Sequence, residues 1–305
     1  MSIVETLPDT FIHPHAEVDA TATIADGVRI GSGAIVGPRC VIGAGTRIRE
    51  KAIIVQDTTI GERNDVHPFA VIGGDPQDRA YAEGDACHLH IGDDNVFREF
   101  VTVSRGTSGG EPTRIGNRCM LMAHAHIGHN CQMHDDVVLA NSASIAGHAI
   151  IGERCVLSGF VTVHQFCEVG EGVMFHVHTA VGKHVPPFML VMNNNVVNGL
   201  NVKGLARFPG ATTGDRTELK ELYRVLFRER EIPLSEAVAE VASGELGPFA
   251  HRFVQFIERA MGQDGARARG VVGAIVKPAQ GGGTRLERGY DDGFDGDDPM
   301  QDKRA

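Results

Sequence analysis

An aliphatic residue recurs at every sixth position along most of this chain, and few folds can use such a period. From Val18 the series runs Ile24, Ile30, Val36, Ile42, Ile48, Ile54, Ile60, Val66 and Ile72 without a miss. The register breaks at Gly73, returns at Ile91, Phe97 and Val103, and breaks again over Ser104–Pro112. It resumes at Ile115 and holds through Leu121, Ile127, Met133, Leu139 and Ile145 as far as Val181. A period of six is neither helical nor a plain strand alternation. It suits a triangular coil, with one short strand and one turn on each side and eighteen residues to the coil.

The position two before each of these aliphatics is small: Ala22, Val28, Ala34, Cys40, Thr46 and Ala52, then Cys119, Ala125, Cys131, Ala143 and Cys155. Strand side chains alternate between faces, so the large and the small residue of each hexad both point inward and together fill the prism. Glycine often follows the aliphatic (Gly31, Gly37, Gly43, Gly61, Gly128, Gly152, Gly170, Gly182), which predicts a tight corner there. Five of the six cysteines, Cys40, Cys119, Cys131, Cys155 and Cys167, occupy the small inward position and read as buried small hydrophobes. Metal or disulfide chemistry is the competing reading, and Cys87 alone lies outside the pattern. The expected fold is a mainly β parallel β-helix of about eight coils, about 40 Å long at the usual strand spacing. Chains with this hexad are known to form a left-handed parallel β-helix, a hand that the period itself does not show.

The prism is expected over residues 12–187, with loops pushed out at 73–90 and 104–112. A helical domain over 188–262 follows, with helices at Thr217–Glu231, Ser235–Ser243 and Pro248–Met261 and with Thr217 and Ser235 as N-caps. Residues 263–305 are expected to be a largely disordered tail. Six aspartates and no lysine or arginine lie in Asp291–Asp302, within a net charge of −10, which argues against nucleic acid as a partner. Met1–Pro14 has no basic stretch followed by an apolar one, and no apolar run is long enough to span a bilayer. No transmembrane segment and a cytoplasmic location are therefore expected.

Histidines crowd one stretch of the sequence. At eighteen residues per coil, His129, His148 and His164 fall within one residue of a common column on three successive coils, with His126 a short step away. Three readings stay open from spacing alone. A neutral imidazole can act as a general base, three imidazoles can bind zinc, or the rings can line a solvated edge. Gly147 offers a backbone N–H without steric cover, of the kind that holds an oxyanion.

Several stretches are more specific: His126-Ile-Gly-His129-Asn-Cys, Ile145-Ala-Gly-His148, Val163-His164-Gln165-Phe166-Cys167, Val185-Pro-Pro187 and Asn201-Val-Lys-Gly-Leu-Ala-Arg207. With Gln77-Asp78, Tyr81, Arg98-Glu99 and Arg105-Gly-Thr107, they make the chain resemble the UDP-N-acetylglucosamine O-acyltransferases of the lipid A pathway over about residues 12–271. The resemblance implies a homotrimer with sites between neighbouring prisms. It implies transfer of a 3-hydroxyacyl group from acyl carrier protein to the glucosamine 3-position, with no metal or other cofactor. It makes His129 the general base and the Gly147 N–H the oxyanion donor. His126, Asn130, His148, His164 and Gln165 would line the site. Gln77 and Asp78 would contact the sugar nucleotide, Asn201 and Arg207 would stand on its nucleotide side, and Val177 would lie near the position that gauges acyl length.

The chain departs from the family pattern in places. Asn130 stands where the family carries Asp, so the imidazolium formed in the reaction has less charge stabilisation and the enzyme is expected to be slower. Lys203 replaces an acid, Ala206 a basic residue and Phe208-Pro209 an Arg-Gly pair. An N-acyltransferase acting on an amino-sugar nucleotide, a zinc hydratase on the same solenoid and a non-catalytic trimeric scaffold are the alternatives.

Overall fold

In the computed structural model, which describes residues 9–107, 109 and 111–274, the hexads wind into a three-sided left-handed parallel β-helix. Nearly every side of a coil is a two-residue strand that ends on the key aliphatic, as in Arg29–Ile30 and Ile35–Val36. Strands stack in parallel on the third strand along the chain. The first sheet has 12 strands, including three at its C-terminal end, and the second and third have 9 and 8. Within uninterrupted coils the pairing offset is 18 residues, as Ile30 pairs with Ile48 and Ile127 with Ile145.

Two insertions change that offset without changing the face presented. Val66 pairs with Phe97 and Ile60 with Ile91, 31 residues apart, across the first loop. Val103 pairs with Ile127 and Ile91 with Ile115, 24 apart, across the second. Both flanking strands run further than the spacing predicted: Val71–Gly74 and Leu89–Ile91 shorten the first loop to 75–88, and Thr102–Ser104 and Thr113–Ile115 shorten the second to 105–112.

The interior is filled by the two inward positions of each hexad. Val28, Ile30, Ala34, Ile42, Ala125, Ile127, Ala143 and Ile145 are all fully buried. The five patterned cysteines are buried among them. Four of their thiols donate to a carbonyl of the next rung: Cys40 to Val55, Cys119 to His134, Cys131 to Ala146 and Cys155 to Gly170, at 2.9–3.2 Å. Burial pushes the thiols of Cys119, Cys131, Cys155 and Cys167 up to about 12. These are packing residues, as the spacing predicted.

The corner glycines have a different reason from the one expected. Apart from Gly73, where the first loop leaves the prism, none of those after the key aliphatic has a left-handed backbone. Most are small because the next coil passes too close: a Cβ on Gly31 would lie 2.7 Å from the Glu50 nitrogen, and one on Gly152 2.5 Å from the Glu171 nitrogen. The left-handed corner residues lie three before the key aliphatic. A few are glycines, such as Gly27, Gly33, Gly45 and Gly172, but most carry side chains, among them Arg39, Asp57, Phe69, Phe100, His124, Asn130, His148 and Phe166 at φ 55–64°. Each corner therefore displays a ladder of outward side chains at a conformational cost of order 1 kcal/mol per residue.

The three ladders differ. The edge between the third and first sheets is charged, with Arg63, Asp94, Arg118, Asp136 and Arg154 in paired contact. The edge between the first and second is aromatic. Phe69 stacks on Phe100 at 5.2 Å, Phe100 on His124 at 4.9 Å and Phe160 on His178 at 4.9 Å, and the three phenylalanines are about half exposed. The edge between the second and third carries Asn130, His148 and Phe166.

The hexad pattern ends near Pro187, but the first sheet gains a further parallel strand, Met189–Met192, against Met174–Phe175. Val196–Leu200 then pairs antiparallel with it. The helices are Thr213–Tyr223, extended by a π-helical turn at Arg224–Arg228, then Leu234–Ala242 and Pro248–Met261. The first begins four residues before the position predicted. Thr212 caps it and closes a reciprocal box with Asp215, while the Thr217 hydroxyl donates back to the Thr213 carbonyl inside the helix. Ser235 is likewise not a cap; Pro233 precedes the second helix. Phe188, Phe208 and Phe249 pack together where the helices meet the prism, so the departure at Phe208 is absorbed into core. Structure also continues past Gln263, through a 3-10 turn at Gly265–Arg267 to Gly273–Ala274, which pairs with Val196–Val197 and corrects the expectation of disorder there. The Asp-rich tail lies outside the described residues.

Candidate active site

The edge between the second and third sheets gathers the residues singled out by the motifs. His129, Gly147 and Gln165 occupy one corner position on successive coils, and Asn130, His148 and Phe166 the next. Backbone bonds tie the rungs: the His148 N–H donates to the His129 carbonyl at 2.9 Å and the Phe166 N–H to the Gly147 carbonyl at 3.1 Å. The His129 and His148 rings meet edge to face with centroids 5.1 Å apart, and His148 stacks on Phe166 at 4.7 Å. His164 stands exposed one residue before this corner, its Nδ1 3.2 Å from the Gln165 carbonyl. The His129 and His148 imidazoles are in contact on this edge, and His164 stands at its border.

His129 is buried, and its Nδ1 lies 2.7 Å from Asn130 Oδ1. The orientation of the Asn130 amide is fixed by its surroundings, because Nδ2 donates to the Glu111 carbonyl at 2.6 Å and the Thr107 N–H and hydroxyl both point at Oδ1. An amide oxygen only accepts, so Nδ1 of His129 carries the proton and the neutral ring presents a lone pair at Nε2. That Nε2 lies 3.9 Å from Asp78 Oδ2 and directly over Gly147. A Cβ on Gly147 would come within 2.6 Å of it. The Gly147 N–H makes no hydrogen bond among the described residues, and a Cβ on Gly128 would lie 2.7 Å from that nitrogen. Two glycines therefore keep a donor and a base open to the same space.

His126 faces outward from the second sheet in the row Thr102, His126, Ser144, Thr162. Its Nδ1 is 2.8 Å from the Thr102 hydroxyl. Burial, and then the neighbouring His129, hold its imidazole below the ordinary histidine range, and the same two causes act on His148. Both rings are therefore neutral near pH 7. Among the described residues no group of three or more His, Cys, Asp or Glu side chains is arranged to hold a metal ion.

Asp78 reaches this corner from the first loop, where its Oδ1 accepts from the Ala80 N–H at 2.9 Å; Gln77 is exposed beside it. Asn201 and Arg207 are not brought to the corner within one chain. Asn201 caps the single helical turn Val202–Leu205 and donates to the Gly172 carbonyl at 3.0 Å, on the edge between the third and first sheets, and Arg207 follows that turn. Val177 is exposed beside the aromatic edge, on the far side of the second sheet. Thr102 belongs to the site by contact but carries no signature in the sequence, while Thr107 and Phe166 stand in the motifs without a role assigned to them. Arg267 joins them from 119 residues beyond His148, donating to its carbonyl at 3.3 Å.

Comparison with known proteins gives one consistent result. Residues 184–272 match the family model described as UDP-N-acetylglucosamine O-acyltransferase, domain 2, and residues 9–44 and 112–147 match the bacterial transferase hexapeptide model. The acyl-[acyl-carrier-protein]–UDP-N-acetylglucosamine O-acyltransferase of Syntrophobacter fumaroxidans is 44% identical over 71% of this chain and 84% of its own length. That of Saccharophagus degradans is 40% identical over 76% and 90%. Among solved structures, the UDP-N-acetylglucosamine acyltransferase of Francisella novicida superposes with a TM-score of 0.79 at 33% identity, covering 88% of this chain and 95% of that one. The Moraxella catarrhalis O-acyltransferase gives 0.77 at 37%, covering 86% and 99%.

Proposed function

Because this chain belongs to the UDP-N-acetylglucosamine O-acyltransferase family, we propose that it carries out the first acylation of lipid A synthesis, moving a 3-hydroxyacyl group from acyl carrier protein to the glucosamine 3-hydroxyl of UDP-N-acetylglucosamine. The observation that carries the reading is the bare Nε2 of His129, held by Asn130 through Nδ1 and lying over Gly147, whose N–H has no hydrogen-bond partner among the described residues. In this reading Nε2 takes the proton of the sugar hydroxyl as its oxygen attacks the thioester carbonyl. The Gly147 N–H stabilises the tetrahedral oxyanion. As the C–S bond breaks, the imidazolium returns its proton to the departing phosphopantetheine sulfur. Asp78 and Gln77 bind the sugar nucleotide, His126, His148, His164 and Gln165 line the cleft, and Val177 lies along the acyl path.

The full site is assembled from more than one copy, which accounts for Asn201 and Arg207 standing away from His129. The aromatic edge supports a homotrimer: Phe69, Phe100 and Phe160 are exposed there, with Met120, Val138, Val156 and Met174 turned outward on one flank and Ile35, Ile53 and Val71 on the other. Exposed aromatic and aliphatic side chains gathered on one edge mark a buried contact, with Lys51 lying over the Phe69 ring beside them.

The test is turnover of a panel of acyl carrier protein thioesters with UDP-N-acetylglucosamine and its 3-amino analogue, read by mass spectrometry. A 3-O-acyl product is expected, reduced on the order of a thousandfold by His129→Ala. Product from the 3-amino sugar alone would make the chain an N-acyltransferase, and undiminished product from His129→Ala would remove the base.

A further inference from the structure

The motif Arg105-Gly106-Thr107 takes no part in the roles assigned above, yet both loops and the histidine pair are fastened to it. The Arg105 side chain is fully buried. Its Nη1 donates to the carbonyls of Gly73 and Gln56 at 3.0 and 3.1 Å, its Nη2 to the Asp75 carboxylate, and its main-chain N–H to Gly74 at 2.9 Å. Arg105 thereby holds the root of the loop that carries Asp78. Two residues on, the Thr107 N–H and hydroxyl donate to Asn130 Oδ1 at 3.2 and 3.1 Å, the same oxygen that receives His129 Nδ1. Between them Gly106 donates to the His88 carbonyl at 3.0 Å and has no room for a side chain, since a Cβ would lie 2.6 Å from the Glu111 carbonyl.

Two peptide units span at most about 7 Å, so the anchor of the acidic loop and the anchor of the base are joined by a short, fully tethered segment. We propose that Arg105-Gly106-Thr107 is a rigid bridge that sets the Asp78 carboxylate against the His129 imidazole, making Arg105 and Thr107 positioning residues for acyl transfer. The inference rests on the acyltransferase reading above. The bridge gives each end a separate kinetic signature. Loss of the Thr107 hydroxyl lets Asn130 and then His129 turn, which affects the proton transfer step. Loss of the Asp75–Arg105 pair loosens the loop of Gln77 and Asp78, which affects sugar nucleotide binding.

The experiment compares Thr107→Val, Thr107→Ser and Asp75→Asn in the full chain. Thr107→Val is expected to lower kcat about tenfold and to move the acid limb of the kcat pH profile, with Thr107→Ser restoring both. Asp75→Asn is expected to raise KM for UDP-N-acetylglucosamine about fivefold or more and to change kcat little. The downfield imidazole Nδ1–H resonance of His129 is followed by NMR in the same proteins without substrate. It should be sharp in the natural protein and Thr107→Ser and exchange-broadened in Thr107→Val. Folded Thr107→Val protein with an unchanged resonance and unchanged pH profile would overturn the bridge. A wild-type protein that makes no product but shows the resonance change would fault the acyltransferase reading and leave the bridge standing.

Discussion

Asn130 decides how the base is presented, and it is held by three of its polar atoms. Its oxygen faces His129 and Thr107, its side-chain nitrogen the Glu111 carbonyl, and its backbone N–H the Thr113 hydroxyl at 2.8 Å. An aspartate here would strengthen the bond to an imidazolium, since charge-assisted hydrogen bonds are roughly twice as strong as neutral ones. The same change would set a carboxylate oxygen against the Glu111 carbonyl. Asn130→Asp is therefore expected to raise kcat about fivefold, equivalent to about 1 kcal/mol of transition-state stabilisation, and to lower the melting temperature by several degrees. Steady-state kinetics and calorimetry on one preparation check both. A fall in kcat would mean that the Glu111 contact matters more to the base than the added charge. Much of this was legible beforehand: His129, Asn130 and Gly147 are all named by the motifs. Thr107 also stands in one of the motifs, but its role was not legible, because a loop threonine has no assignable contact until the fold carries it to Asn130.

At the level of the elements, each hexad divides its labour between the strand, which packs, and the corner, which displays. The inward cysteines belong to the first duty. Their thiols are buried, donate to carbonyls across the coil and, at Cys119, Cys131, Cys155 and Cys167, are pushed up to about 12. The nucleophile is the thiolate, so these four are expected to resist a maleimide or disulfide reagent at pH 8 in the folded protein and to react promptly in denaturant. Peptide mapping of the labelled chain checks this, and fast labelling of any of the four under native conditions would contradict the packing described. The corners carry the second duty. Period and strand alternation reveal the interior from sequence alone, because burial demands the same residue type at each turn. The corner ladders show no such regularity, since a side chain pointing outward is selected for its contact with the neighbouring rung, as in the stacking of Phe100 on His124.

For the whole molecule, histidine burial links stability to pH. Burial holds His90, His126, His148 and His184 below the ordinary value of 6.5. His184 shows why: its Nδ1 accepts the Glu168 N–H at 3.0 Å, while its Nε2 donates to the Arg267 carbonyl at 2.8 Å, which only the neutral ring can do. The unfolded chain takes protons on these rings as pH falls through 6.5, while the folded chain does not. The unfolded state gains, and stability is lost downward from there until the depressed folded values are passed. Melting temperature is expected to fall between pH 7 and pH 5.5, and His184→Gln to flatten part of that slope. A flat profile across this window would deny these rings their neutral folded state. His184 also ties the segment after the last helix to the prism, with backbone bonds to Gly270 and Val272, and Arg267 lies between it and His148. Among the described residues no helix is long and apolar enough to cross a membrane.

The sequence alone determined the coil, because a period of six with paired large and small inward residues leaves the backbone one economical way to bury them. It also determined which coils carry His129, His148 and His164, since eighteen residues return the chain to the same edge. Tertiary structure decided what period cannot encode. It set which glycines are small for the sake of a neighbouring coil, and where two insertions fold back so that Asp78 and Thr107 meet the histidine corner. It also set which edge carries Asn201. Such contacts join residues of unrelated spacing through space, and their energies depend on distances that exist only once the coils are stacked.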